Sequence, residues 1–166
     1  IYIHVVCRRQ RNMCIRDRVI SEYDENLPKD LSVEDIMIYS SNIGSVKIAQ
    51  IIGREKLKKF LEKIGVLSQL AFDIQETGKP LSFKWRDCKL KTVSYGHGIT
   101  TTPIQLAKGY AILANGGYDI RPTLIKKEFY NFQKKRILNK DVSSQINKIF
   151  RKVVTHGTAT LSDVEG

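Results

Sequence analysis

Cysteine and histidine are both scarce, and neither is patterned. The three cysteines are Cys7, Cys14 and Cys88. An odd count without a C-x-x-C spacing argues against a disulfide framework or a structural zinc site. His4, His97 and His156 are scattered and offer no metal-ligand spacing, so neither a metal nor a cofactor is expected. No apolar run approaches the roughly 20 residues needed to cross a bilayer. No leader peptide is recognisable, because Ile1 to Val6 is short and is followed by Arg-rich sequence. The chain does not open on Met and is expected to be a piece of something longer.

What is present is the material of one domain. A chain of 166 residues with 42% hydrophobic content can bury a core and is not expected to be disordered. The net charge of +11 raises the question of nucleic acid. Lys and Arg are spread along the chain, many of them on the polar sides of helix-like patterns. They read as solvated faces, and no nucleic-acid partner is expected.

Residues 1–18 stand apart. They hold two of the cysteines and five arginines but no lysine, whereas the basic residues from Val19 onward are mostly lysines. The stretch Arg11 to Arg18 resembles translated adaptor sequence. Residues 1–18 are therefore expected to be non-native, with residues 19–166 forming the domain.

Val19 to Lys29 reads as an extended connector. Ser32 is an N-cap, followed by Glu34 and Asp35 in the first turn, where the helix dipole favours acids. A short helix then enters Ser40-Ser41-Asn42. Ile43, Val46, Ile48, Ile51 and Ile52 predict a second, buried helix closed by Gly53. Leu57, Phe60, Leu61 and Ile64 predict a third, stopped by Gly65. Val66 to Leu90 reads as a long loop pinned by Trp85. In Thr92 to Thr102, Gly96 and Gly98 flank His97. Thr102, Pro103 and Gln105 then form a capping box with proline at N1. Ile104, Ala107, Tyr110, Ala111 and Ala114 are the expected buried stripe of that helix, which Asn115-Gly116-Gly117 ends. From Tyr118 the pattern is extended, with a turn at 131–133 and a return strand at 135–138, a hairpin. A last helix starts near Asp141 or Ser143, carries Val142, Ile146, Ile149, Phe150 and Val153 on one face, and stops at Gly157.

The Ser40-Ser41-Asn42 triplet has two readings on its own. Ser40 and Asn42 could simply cap the helix that follows. Alternatively, a hydroxyl and a carboxamide could grip a peptide-like substrate and pass a proton. The blocks around it bear on the choice. Ser40-Ser41-Asn42-Ile43-Gly44 is similar to an SSN-x-G element. Ser94-Tyr95-Gly96-His97-Gly98 with Thr102-Pro103-Ile104-Gln105-Leu106-Ala107 is similar to a G-x-G…TP-x-QLA block. Asn115-Gly116-Gly117 is followed by Pro122, and Val153 to Ala159 resembles the run that precedes a K-T-G strand. In order and spacing these resemble the transpeptidase domain of the class B, division-type penicillin-binding proteins, over roughly four-fifths of the chain.

The resemblance implies an α/β (α+β) fold of the penicillin-binding protein and serine beta-lactamase type, mostly helical here with one hairpin of the antiparallel sheet. It implies a serine D,D-transpeptidase that cross-links peptidoglycan stem peptides through an acyl-enzyme and binds beta-lactams. It also implies a periplasmic domain on a single N-terminal membrane anchor, with divisome proteins as partners. Ser40 and Asn42 would be catalytic and substrate-binding, and Gly96, His97 and Gly98 substrate-binding. The family's site also needs S-x-x-K and K-T-G. No serine here is followed by lysine three positions on, and Lys91-Thr92 continues into Val93. The nucleophile is thus expected before the matched region and K-T-G after Gly166, and this stretch by itself is expected to be inactive. The alternatives are a non-catalytic homologue, such as a lactam sensor, or a basic nucleic-acid-binding module. Apolar helices with only one hairpin to pack on are expected to expose surface and to associate.

Overall fold

The computed structural model describes residues 13–15, 18–74, 78–126 and 135–163. The turn expected at 131–133 lies outside them. The chain forms two compact units: Ile1–Glu55 with Lys84–Gly98 and Lys148–Gly166, and Lys56–Phe83 with Ile99–Asn147.

The first unit opens with a two-stranded antiparallel sheet of β1 (Met13–Ile15) and β2 (Arg18–Ile20), Met13 opposite Ile20. Helix α1 (Val33–Ile38) starts at Ser32, whose hydroxyl accepts from Asp35 N while the Asp35 carboxylate accepts from Ser32 N, a complete capping box. Helix α2 (Asn42–Ile52) buries Ile43, Gly44, Val46 and Ala49 and ends at Gly53 with φ 84°. A Cβ on Gly44 would stand 2.5 Å from Ile36 Cγ1, so only glycine lets α1 lie this close on α2. Ile20, Leu27, Leu31, Ile36, Ile43 and Val46 form the core, with Ile48 and Tyr95 packed against it. Helix α4 (Asp87–Val93) also packs on α2. Between them in the chain, helix α3 (Arg54–Lys63) begins directly after Gly53 and lies mostly in the second unit. The loop expected from Val66 to Leu90 gives way to helix at Asp87. The helix spans two turns with no side-chain cap, so Asp87 in its first turn is a weak start signal. Burial of Leu90 and Val93 is what holds it.

The second unit is centred on Ile64, Val66, Ile112 and Ile137, with Phe60, Leu61, Ile99, Ile120 and Leu138 around them. Helix α5 (Pro103–Ala114) begins as its sequence predicts, on the Thr102–Gln105 capping box with Pro103 at its start. Its buried face is different. Gln105, Gly109 and Ile112 point inward, whereas Ala107 and Tyr110 of the expected stripe are exposed. Two contacts account for this rotation. Gln105 turns in because Nε2 donates to Ser68 O while Oε1 accepts from Thr102 N. Gly109 faces Val66 and Ile64, which lie at van der Waals distance, 3.6 and 3.9 Å from where a Cβ would be.

Of the expected hairpin, the described residues show one isolated antiparallel bridge between Tyr118 and Arg136 and no strand, with Asp119 N donating to Lys135 O and Ile137 N to Gly117 O. Helix α6 (Lys140–His156) follows. Ile146, Ile149, Phe150 and Val153 of the expected face are half-buried, but Val142 is exposed and its neighbour Ser143 is buried in its place. Ser143 Oγ donates to Leu113 O at 2.5 Å and accepts from Gly116 N at 3.0 Å, and Asn147 Nδ2 donates to Ala114 O. The last carbonyls of α5 have no partner within their own helix. Two polar side chains of α6 supply one.

Ser143→Ala leaves the Leu113 carbonyl and the Gly116 amide unpaired in a buried place. It is expected to lower stability by about 1–3 kcal/mol, read as a shift in the urea midpoint at unchanged slope.

Candidate active site

The Ser40–Asn42 turn is a joint between two helices with no residue to spare. Helix α1 ends at Tyr39. Ser40 N donates to Met37 O at 3.3 Å and Ser41 N to Ile36 O at 2.9 Å, the paired bonds of a Schellman ending. That ending needs a left-handed residue just past the cap, usually glycine. Here it is Ser40, with φ 53°, the only non-glycine positive φ among the described residues. The next residue, Ser41, is already the N-cap of α2, and its Oγ accepts from Gly44 N at 2.9 Å.

Neither end of the triplet caps the helix. The middle serine does, and it is buried. The Ser40 and Asn42 side chains are thereby released from capping. Ser40 is exposed, with its Oγ 3.0 Å from Thr158 Oγ1. Asn42 is half-buried, and its Nδ2 donates to Ser21 O at 3.1 Å. Among the described residues no hydrogen bond reaches its Oδ1, an acceptor.

Two further segments hold the joint. After α6 the chain turns at Gly157, and Thr158 N donates to Ile38 O. A Cβ on Gly157 would overlap the Ile38 carbonyl, so glycine at this position lets Thr158 reach Ser40. Lys152 of α6 pairs with Glu34 of α1 at 2.5 Å. On the other side Glu22 presents its carboxylate to Ser41 Oγ at 2.6 Å, Asn42 N at 2.7 Å and Ile43 N at 3.3 Å. Sequence reading did not single out Glu22. It sits in a polar connector 19 residues before Ser41, and no local pattern marks it. Thr158 belongs to the Val153–Ala159 run, but no local pattern in the sequence links it to Ser40.

Gly96, His97 and Gly98 belong to the same unit, in the turn after α4. Gly96 and Gly98 take φ 81° and 73°, as their flanking positions predict. His97 N donates to Thr92 O, Lys89 Nζ donates to Gly98 O, and the His97 ring stacks on Tyr95 at 6.2 Å between centroids. Among the described residues no hydrogen bond joins this turn to Ser40 or Asn42. The link between them is packing: Tyr95 lies against the core formed by Ile43 and Val46. Burial, and secondly repulsion from Cys88, push the Tyr95 phenol above its ordinary 10.0, so it is neutral at physiological pH. No group of His, Cys, Asp or Glu among the described residues could hold a metal ion.

The structure superposes on the transpeptidase domain of penicillin-binding protein 3 from Burkholderia pseudomallei with a TM-score of 0.82 at 22% identity, covering 93% of this chain and 47% of that one. Residues 12–166 match the penicillin binding protein transpeptidase domain, and the chain belongs to that family. It is 30% identical over 130 residues to a probable peptidoglycan D,D-transpeptidase FtsI from Caulobacter vibrioides, covering 76% of this chain and 22% of that protein. It is 29% identical over 147 residues to a probable peptidoglycan D,D-transpeptidase PenA from Neisseria meningitidis, covering 86% of this chain and 25% of that protein. The chain thus spans about a quarter of the length of the curated relatives it matches.

Ser41→Ala removes the cap of α2 and one of the three donors to Glu22. The expected cost is about 1–2 kcal/mol of stability, measured by chemical denaturation. An unchanged midpoint would mean that Ser41 does not hold the joint.

Proposed function

We propose that this chain is one wall of the active-site cleft of a peptidoglycan D,D-transpeptidase of the division type, with Ser40 and Asn42 facing the substrate. A serine of S-x-x-K, carried by sequence outside residues 19–166, attacks the carbonyl between the two terminal D-alanines of a stem peptide. The acyl–oxygen bond forms, the peptide bond breaks, and D-alanine leaves with the proton that the serine gave up. An amine of a neighbouring strand then attacks the ester, forming the cross-link and returning a proton to the serine. Backbone donors aimed at the oxyanion assist both steps. Beta-lactams acylate the same serine.

In this scheme Ser40 relays the proton to the leaving amine. A serine hydroxyl is a poor acid alone, so the relay needs the S-x-x-K lysine beside it. Asn42 accepts and donates hydrogen bonds along the substrate backbone and orients that lysine. The Gly96-His97-Gly98 turn lines the substrate groove, and the K-T-G strand supplies the opposite side. The domain works at the periplasmic face of the inner membrane on a single anchor, with divisome proteins around it. Among the described residues no helix is long and apolar enough to cross a membrane.

The observation that carries this reading is the backbone of Ser40. A left-handed residue costs about 1–2 kcal/mol with a side chain and almost nothing as glycine. A serine at such a position is worth its strain if the hydroxyl is used. Ser41 takes over the capping that would otherwise explain the hydroxyls.

Two results are expected. The 166-residue chain, having no S-x-x-K, is not labelled covalently by a fluorescent penicillin; a labelled band would place a nucleophile within it. In the full-length protein, Ser40→Gly slows acylation by about a hundredfold while its thermal midpoint holds or rises. Acylation at the wild-type rate would remove Ser40 from the mechanism.

A further inference from the structure

Glu22 touches the joint at three points. Its two oxygens are both engaged, Oε1 by the Ser41 hydroxyl and the Ile43 amide, Oε2 by the Asn42 amide. The direction of each bond is fixed. Ser41 Oγ already accepts from Gly44 N, so its own proton goes to Glu22. The amides at the start of α2 have no carbonyl partner in their helix, and the positive end of the helix dipole favours the carboxylate. The neighbouring residue acts on the side chain: Ser21 O accepts from Asn42 Nδ2. Ser21 and Glu22 therefore grip Asn42 by both its backbone and its carboxamide.

We infer that Glu22 is a positioning residue of this site, whose carboxylate sets the place of Asn42 without touching substrate. The inference rests on the reading of Ser40 and Asn42 as the cleft wall. A carboxylate is the group the geometry requires, since every contact arrives as a donor. Gln at the same place offers one acceptor oxygen and an NH2, which sets donor against donor at Ser41 or at Asn42. Asp is one methylene shorter and cannot span both amides from the same backbone. Release of the anchor lets the first turn of α2 shift, and a displacement of about 1 Å at a substrate-orienting group can cost up to a hundredfold in rate.

The test is a double-mutant cycle in the full-length protein, using the second-order rate of acylation by a fluorescent penicillin well below each thermal midpoint. Glu22→Gln is expected to slow acylation about tenfold, as the loss of a charge-assisted anchor would. Asn42→Ala is expected to slow it as well. The double variant is expected to be no slower than Asn42→Ala, because Glu22 acts through Asn42. A purely structural role would lower the midpoint and leave the two effects multiplicative. A multiplicative cycle, or Glu22→Gln within about twofold of wild type beside a slow Asn42→Ala, overturns the inference alone. Asn42→Ala at the wild-type rate overturns the cleft reading, and the inference with it. If Glu22→Gln does not fold, Ser41→Ala replaces it in the same cycle, with the same outcomes deciding.

Discussion

One serine finishing one helix and starting the next is the constraint around which the first unit is arranged. Ser41 N closes α1 through Ile36 O, and Ser41 Oγ opens α2 through Gly44 N. Both helix ends leave backbone groups unpaired. A single residue answers one group from each, and the Glu22 carboxylate answers two more amides. The packing follows. Gly44, one turn into α2, lies against Ile36, one turn back in α1, so the polar joint and the apolar contact support each other.

The second unit solves the same problem with different residues. The last carbonyls of α5 are met by Ser143 and Asn147, and the first turn is closed by Thr102 with Gln105. In both units buried polar side chains mark helix ends, and the apolar clusters lie between them. This explains why Ser41, Gln105 and Ser143 are the buried polar residues among those described. Each is bonded to backbone that the fold would otherwise leave unsatisfied.

Capping chemistry was the most legible part of the sequence. Ser32, Thr102 with Pro103, Gly53 and Gly65 announce helix boundaries through groups within three or four residues, and the structure places them there. The faces of helices were less legible where a polar residue took an inward position. Gln105 was legible as a capping-box residue and Ser143 as a helix start, but neither as a buried residue, because the partners Ser68, Leu113 and Gly116 are distant in sequence. The triplet itself was visible as a motif. Which of its serines would cap was not, since that depends on the left-handed turn at Ser40, which no local preference predicts. Glu22 and Thr158 were out of reach for the same reason: each acts on the joint from far along the chain.

The shared cap also bears on how such a chain can change over time. Between Tyr39 and Asn42 there is no slack, because Ser40 and Ser41 each hold a place in two hydrogen-bonding schemes. One inserted residue would turn α2 by about 100° about its axis and carry Ile43, Val46 and Ala49 off the core. Length variation is therefore barred here and better tolerated in the connector from Tyr23 to Asp30, which is exposed apart from the buried Leu27. The spacing of Ser40 and Asn42 to α2 is inherited as a rigid block, while their distance along the chain from Glu22 is free to drift.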